Sequence, residues 1–256
     1  MTRLFAATAV ATGFAVASAQ LSQQCTSALA SVASNPEAGA CLAPAQLVSI
    51  VAGDGNSSIV EPIDAWLNSV CAVAPCNNET ISAIVTNVTA GCTRELSLFG
   101  YDSSQNAAII ATVQQVYPTA RKVVCLKDGN TNCVTQTLTN IQNTVGTLSP
   151  NNIVDIVANN STQASLLNAQ NITCTNCIKA AYNTINTDFP LGSDAQSELQ
   201  QQCGASFTDG QNPSGISQTA NTASAQGENA AVILKALSDA GLYAFFAVSG
   251  VFALAA

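Results

Sequence analysis

Two cysteines three positions apart are the residues of this chain whose spacing most directly suggests chemistry. Cys174 and Cys177 form a C-x-x-C pair inside the segment NITCTNC, residues 171–177. A pair with this spacing is typical of a redox centre, of half a zinc site, or of cysteines that belong to a disulfide framework. The rest of the sequence favours one of these three interpretations.

The order of the cysteines indicates a duplication. The segment LAPAQLVSIVA at residues 42–52 resembles LSPNNIVDIVA at residues 148–158, and a close cysteine pair follows each of them. We therefore predict two tandem repeats of five cysteines, at about residues 20–100 and 120–203. The ten cysteines are Cys25, Cys41, Cys71, Cys76, Cys92, Cys125, Cys133, Cys174, Cys177 and Cys203.

An even number of cysteines in a secreted chain favours disulfides over metal or redox chemistry. In the first repeat the counterpart of the C-x-x-C pair is Cys71 and Cys76, which have four residues between them and so lose its spacing. We predict that all ten cysteines form disulfides and that no metal or cofactor is bound. Because five cysteines cannot all pair within one repeat, an odd number of bridges must join the two.

A second candidate for chemistry is EPIDAW, residues 61–66. Glu61 and Asp64, beside the only tryptophan, Trp66, resemble the acid and base of a glycosidase cleft. The interpretation that we prefer is structural: both carboxylates flank Pro62 in the first turn of a helix, where negative charge opposes the helix dipole. We therefore predict no catalytic residue here.

Several features exclude other functions. The chain has no histidine, which removes histidine-activated nucleophiles and histidine-ligated zinc. Residues 128–133, DGNTNC, begin like a calcium loop but lack its glycine and glutamate, and so predict a turn between Cys125 and Cys133. The net charge is −8 and the only adjacent basic pair is Arg121 and Lys122, so nucleic acid is not a predicted partner.

The N-terminal segment and the glycosylation motifs predict secretion. Residues 1–19 contain one arginine, an apolar run and the small-x-small motif Ala17-Ser18-Ala19, which is typical of a signal peptide. Asparagines of N-x-Ser/Thr sequons, which predict N-glycosylation, are Asn56, Asn78, Asn87, Asn159, Asn160 and Asn171.

The C-terminal segment predicts a membrane anchor. Residues 240–256 are uncharged, and a spacer and small residues at 229–231 precede them. This order is typical of a GPI-attachment signal, so we predict attachment at Asn229 and removal of residues 230–256. The alternative, a transmembrane tail, is at the short limit for spanning a bilayer. Residues 204–229 lack apolar periodicity and are rich in small polar residues, which predicts a flexible stalk.

Helices are the elements that the apolar spacing favours. Apolar residues of segment 81–92 recur at helical intervals, and so do those of several later segments. Pro44 and Pro150 suit the first turns of helices, and Pro118 suits a helix end. We therefore predict an all-α, disulfide-rich domain over residues 20–203.

Two segments carry a resemblance to a known family. CTNCIKAAY at residues 174–182 and CGASFTDGQNPSGI at residues 203–216, together with the cysteine layout and both terminal segments, resemble fungal secreted, cysteine-rich, GPI-anchored surface proteins. The resemblance covers nearly the whole mature chain. It implies a fungal cell-surface or cell-wall location, and a domain without an assigned function, so it transfers no catalytic residue.

These observations predict a non-enzymatic, glycosylated protein of the cell surface or cell wall, with a structural, adhesive or interaction role. Its expected partners are the membrane, through the GPI anchor, and cell-wall polysaccharide or another surface protein. One alternative is a binding protein for a lipid or other small hydrophobic ligand, held among aliphatic side chains. Another is a carboxylate-dependent enzyme that acts on wall polysaccharide.

Overall fold

The computed structural model describes residues 21–97, 100–158, 166 and 169–222, and most of these residues are helical. The α-helices are α1 (Gln23–Ser34), α2 (Pro36–Leu42), α3 (Val48–Ala52), α4 (Val60–Ala72), α5 (Asn78–Gly91), α6 (Thr93–Ser97), α7 (Asn106–Val124), α8 (Cys133–Val145), α9 (Pro150–Ala158), α10 (Gln170–Thr173), α11 (Asn176–Asp188) and α12 (Ser193–Cys203). Short 3-10 turns lie at Pro44–Leu47, Ser103–Gln105 and Ala205–Thr208. The prediction of a disulfide-rich, mainly helical fold is confirmed.

Short polar side chains determine where several helices begin. Asn35 Oδ1 accepts from the backbone N–H groups of the first turn of α2, and Asn77 Oδ1 accepts from Thr80 N at 2.7 Å at the start of α5. Thr175 Oγ1 accepts from Ile178 N at 3.2 Å at the start of α11. The first backbone N–H groups of a helix have no helical acceptor, so these side chains satisfy them.

The prolines follow the prediction with one exception. Pro44 and Pro150 begin their helical segments, as predicted, but Pro118 lies inside α7 and does not end a helix. A proline in this position removes one backbone hydrogen bond. Packing on both sides of it holds the helix together, because Tyr117 and Val123 belong to different apolar clusters.

The core consists of separate apolar clusters, and most of them include a disulfide. One cluster joins α4 to α8 and α9 through Ile59, Ile63, Leu67 and Leu148. The other clusters each contain one disulfide: Cys41–Cys76, Cys71–Cys125 or Cys133–Cys177. Three of the five covalent bridges therefore lie within the apolar clusters of the core.

A small antiparallel sheet, which the sequence did not predict, lies beside the helices. Its strands are β1 (Leu126–Asp128), β2 (Thr131–Asn132) and β3 (Ile216–Gln218), with β1 in the centre. Lys127 is opposite Asn132 on one side and opposite Ser217 on the other.

The predicted flexible stalk is wrong for residues 204–222, which pack against the helical body. Phe207 is buried and contacts Tyr182, with ring centroids 6.3 Å apart. After β3, Thr219 N donates to Cys125 O at 3.0 Å and Asn221 N donates to Cys71 O at 2.9 Å. Backbone hydrogen bonds hold this segment, and they need no apolar periodicity in the sequence. Residues 223–229 lie outside the described residues.

Candidate functional site

The C-x-x-C pair is divided between two disulfides. Cys174 ends α10 and bonds to Cys203, and Cys177, in the first turn of α11, bonds to Cys133 of α8. The two cysteines are therefore not bonded to each other, and neither carries a free thiol. The redox and zinc interpretations are wrong for this pair, and the prediction of a structural framework is confirmed.

All ten cysteines form disulfides. The bridges are Cys25–Cys92, Cys41–Cys76, Cys71–Cys125, Cys133–Cys177 and Cys174–Cys203. Cys71–Cys125 is the one bridge between the two halves, so the prediction of an odd number is confirmed. Both halves join their second cysteine to their fourth, but the other bonds differ, and the structure does not show the predicted tandem repeat.

The carboxylate pair of α4 has a structural environment. Glu61 lies in the first turn of α4, as predicted, and is exposed, whereas Asp64 lies beyond the first turn, so the prediction is wrong for Asp64. Asp64 Oδ1 accepts from Thr135 Oγ1 at 2.6 Å, which links α4 to α8, and its Oδ2 accepts from Asn68 Nδ2 at 3.1 Å. Trp66 donates from Nε1 to Leu42 O at 2.7 Å, and its ring packs in the core. These contacts engage Asp64 and Trp66 within the body, whereas Glu61 stays exposed.

The segment that resembles a calcium loop is a hairpin turn. Gly129 lies between β1 and β2 with φ of 57°, a value that favours glycine. Asn132 then caps α8, where its Oδ1 accepts from Val134 N at 2.7 Å. The predicted turn between Cys125 and Cys133 is therefore confirmed.

Cys25, Cys92 and Glu95 place one ligand atom each within 4.8 Å of the others. Metal-binding sulfur is a thiolate, whereas these two sulfur atoms are bonded to each other. Glu95 instead binds the chain near its N-terminal end: Oε1 accepts from Ser22 N at 2.7 Å, and this bond holds the pKa of Glu95 below its ordinary value. Its Oε2 is buried without a partner among the described residues.

The adjacent basic pair on α7 has two different environments. Arg121 is 5% exposed and donates from Nη2 to Val73 O, while its Nε and Nη1 have no partner among the described residues. Lys122 Nζ lies 2.9 Å from Asp188 Oδ2, which also accepts from Thr119 Oγ1 at 2.6 Å. Burial raises the pKa of Asp188, but these hydrogen bonds outweigh it and hold that pKa below its ordinary value.

Sequence reasoning missed the burial of Arg121. The signal was present, because an arginine four residues after Tyr117 and three before Val124 lies on the same helix face as both. Tyr117 and Val124 each pack against a core cluster.

The sequons differ in their surroundings. Asn56, Asn78 and Asn171 are exposed, whereas Asn87 is half-buried on α5 and faces α1. Asn159 and Asn160 lie outside the described residues, as do the predicted signal peptide, the attachment residue Asn229 and the segment 230–256.

Two depressions in the surface of the described residues border α5. The larger, about 540 Å³ and wide open to solvent, is lined by Gln23, Gln24, Ser27, Asn87, Ala90 and Gly91. The smaller, about 70 Å³, is lined by Val32, Asn35, Glu37, Thr80, Ala83, Ile84 and Asn87. The carboxylate pair of α4 borders neither of them.

Comparison with protein-family models, with curated proteins and with solved structures finds no match to this chain. The resemblance to fungal surface proteins therefore stays a prediction. In the part of the chain that the structure describes, no helix combines the length and the apolar character needed to cross a bilayer.

Proposed function

We propose that the protein is a non-enzymatic, glycosylated module of the cell surface or cell wall, secreted and held by a GPI anchor. The observation that carries this proposal is the disulfide framework, because five closed bridges that use every cysteine are typical of proteins that fold in an oxidising compartment. The framework is compatible with an extracellular location. A fungal wall or surface is the location that the family resemblance implies.

The exposed sequons also support this proposal. Asn56, Asn78 and Asn171 lie on the surface, where glycans fit without displacing the core. The three residues belong to different parts of the chain, namely the loop before α4, α5 and α10.

The environments of the polar side chains favour a structural or adhesive role over catalysis. Asp64 and Trp66, which the enzymatic alternative would use, are bonded to Thr135 and Leu42 in the body. For the lipid-binding alternative, the smaller depression, at about 70 Å³, is below the size of typical ligand sites. The larger one is lined mainly by polar side chains and glycine. No observation favours either alternative over the surface module.

The proposal is tested by expressing the complete chain in a eukaryotic host with a secretory pathway. We expect the protein on the cell surface, and we expect phosphatidylinositol-specific phospholipase C to release it into the medium. The control is the variant with Phe245→Lys and Phe246→Lys, in which charges interrupt the apolar tail that attachment requires. Retention inside the cell, or the same surface level for the control, would contradict the proposal.

A binding assay tests the proposed interaction role. The protein released from the surface is incubated with particles of insoluble wall polysaccharide, and reduced and alkylated protein is the control. We expect only the disulfide-bonded form to bind, because the bridges position the exposed faces of the helices. Equal binding of both forms would show that the fold does not create the surface.

A further inference from the structure

Asn87 is the residue at which the two depressions of the surface meet. It lies on α5 and its Nδ2 donates one hydrogen to Ser31 Oγ of α1 at 3.2 Å. An amide nitrogen carries two hydrogens, so one remains for attachment of a sugar while the other keeps the bond to Ser31. The geometry at Asn87 therefore allows glycosylation without loss of this contact between the helices.

The larger depression is lined by side chains that can bind a carbohydrate. The side chains of Gln23, Gln24 and Ser27 offer donors and acceptors to sugar hydroxyls along one edge. Ala90 and Gly91 also line the depression, and neither has a side chain larger than a methyl group, so a sugar ring can approach the backbone there. The depression, about 540 Å³ in volume, is wide open to solvent.

The sequon hydroxyl at this site is used by the folded protein. Thr89 is 6% exposed, and its Oγ1 donates to Val85 O at 2.8 Å and lies 2.8 Å from Asn106 Oδ1 of α7. A glycosylating enzyme must reach this hydroxyl to recognise the sequon. Attachment at Asn87 therefore has to precede the packing of α5 against α7.

We propose that Asn87 is N-glycosylated during synthesis and that the first sugars lie in the depression between α1 and α5. In this step Nδ2 forms a bond to the anomeric carbon of the first sugar, which a lipid-linked oligosaccharide diphosphate supplies. The lipid diphosphate leaves and Nδ2 gives up one proton. The inference rests on the proposed function, because the donor and the enzyme belong to the secretory pathway.

Asn78 provides a matched control on the same helix. It is exposed at the first position of α5, and the third residue of its sequon, Thr80, is 4% exposed, much like Thr89. Both sequons therefore have a buried threonine. They differ because Asn87 lines the larger depression and Asn78 does not.

The test uses the complete chain, secreted from a eukaryotic host, with glycopeptide mass spectrometry at Asn78 and Asn87. The native, non-reduced protein is then treated with peptide N-glycosidase. We expect both sites to be occupied, and we expect release at Asn87 at least about tenfold slower than at Asn78, because the enzyme needs local opening of the α1–α5 contact. After reduction and denaturation the two rates should become equal.

The variant with Gln24→Ala and Ser27→Ala removes two polar side chains from the larger depression, and both residues are exposed. We expect it to accelerate release at Asn87 and to leave Asn78 unchanged. An empty Asn87 beside an occupied Asn78, or equal rates of release from the native protein, would overturn the inference and leave the proposed function intact. Absence of glycan from every sequon, Asn56 and Asn171 included, would overturn the proposed glycosylation together with the inference.

Discussion

At the scale of single residues, the contact between α1 and α5 depends on the absence of a side chain at Gly91. An added Cβ there would lie 2.2 Å from Ala28 Cβ and 3.2 Å from Gln24 O. Carbon atoms cannot approach this closely, so the two helices would have to separate next to the Cys25–Cys92 bridge.

We expect Gly91→Ala to lower the free energy of unfolding by about 1–3 kcal/mol, because overpacking outweighs the better helix propensity of alanine. The matched control is Gly39→Ala in α2, where an added Cβ would meet nothing within 4 Å. This control should raise stability by about 0.5–1 kcal/mol. Denaturant unfolding without reductant measures both, and a stabilised Gly91→Ala variant would contradict the close contact.

Glu95 makes a prediction about acid stability. Its pKa is below the ordinary value because Ser22 N–H donates to its carboxylate. The pKa of Glu95 is lower in the folded protein than in the unfolded chain, where it is near 4.5, so the ionised carboxylate stabilises the fold above that pH. This stabilisation is lost as the pH falls through the pKa of the folded protein. Glu95→Gln keeps an acceptor for Ser22 but does not titrate. Wild type should exceed this variant in stability at pH 7, and the difference should shrink at pH 3. An equal difference at both pH values would argue against the ionised contact.

At the scale of elements, helix caps differ in how many groups they satisfy. Asn132 is 2% exposed, and it both caps α8 and donates from Nδ2 to Val124 O at 2.8 Å, which joins the start of α8 to the end of α7. Thr175 caps α11 through a single bond to Ile178 N.

We expect Thr175→Ala to cost about 1 kcal/mol, the usual effect of losing a cap. Asn132→Ala should cost about 2–3 kcal/mol, because it also leaves the Val124 carbonyl without a partner in the interior. Asn132→Asp keeps the cap but places a buried carboxylate oxygen against the Val124 carbonyl oxygen, so its loss should be at least as large as that of Asn132→Ala. Equal losses for the two alanine variants in thermal unfolding would contradict the double role of Asn132.

How far the sequence predicts these elements depends on the range of the interactions. Helix α5 follows from the spacing of Ile81, Ile84 and Val85, which is a local signal. The sheet could not be predicted, because β1 and β3 are three residues each and pair across most of the second half of the chain. For the same reason cysteine parity predicts a bridge between the halves, but only the folded geometry selects Cys71–Cys125.

The candidate sites show the same limit. The sequence predicts the cysteines and the sequons by residue type, and it predicts the first-turn position of Glu61. It does not predict that Asn87 faces α1 through Ser31, because that contact joins helices from distant segments. The sequence also does not predict that Pro118 lies inside a helix, because tertiary packing overrides the effect of proline on that helix.

At the scale of the whole molecule, the segment after the last cysteine covers the bridge between the halves. Thr219 N and Oγ1 both bond to Cys125 O, and Asn221 N bonds to Cys71 O. Cys125 is fully buried. The last described residues therefore lie beside Cys71–Cys125, and no disulfide fastens residues 204–222 themselves.

A chain that ends after residue 215 should expose this bridge. We expect dithiothreitol to reduce Cys71–Cys125 several-fold faster in the shortened chain, because local opening becomes easier. The rate for Cys25–Cys92, which links α1 to the end of α5, should not change, because β3 pairs with β1 and not with either of these helices. If each disulfide is reduced at the same rate in the full chain and in the shortened chain, residues 216–222 do not protect Cys71–Cys125.

Peptide mapping of the non-reduced protein directly tests how the ten cysteines are paired. The protein is secreted by a eukaryotic host, alkylated without reduction, digested and analysed by mass spectrometry. We expect the linked peptides Cys25–Cys92, Cys41–Cys76, Cys71–Cys125, Cys133–Cys177 and Cys174–Cys203, and no alkylated cysteine. A Cys174–Cys177 bond, alkylated thiols, or no bridge between the two halves would contradict this pairing.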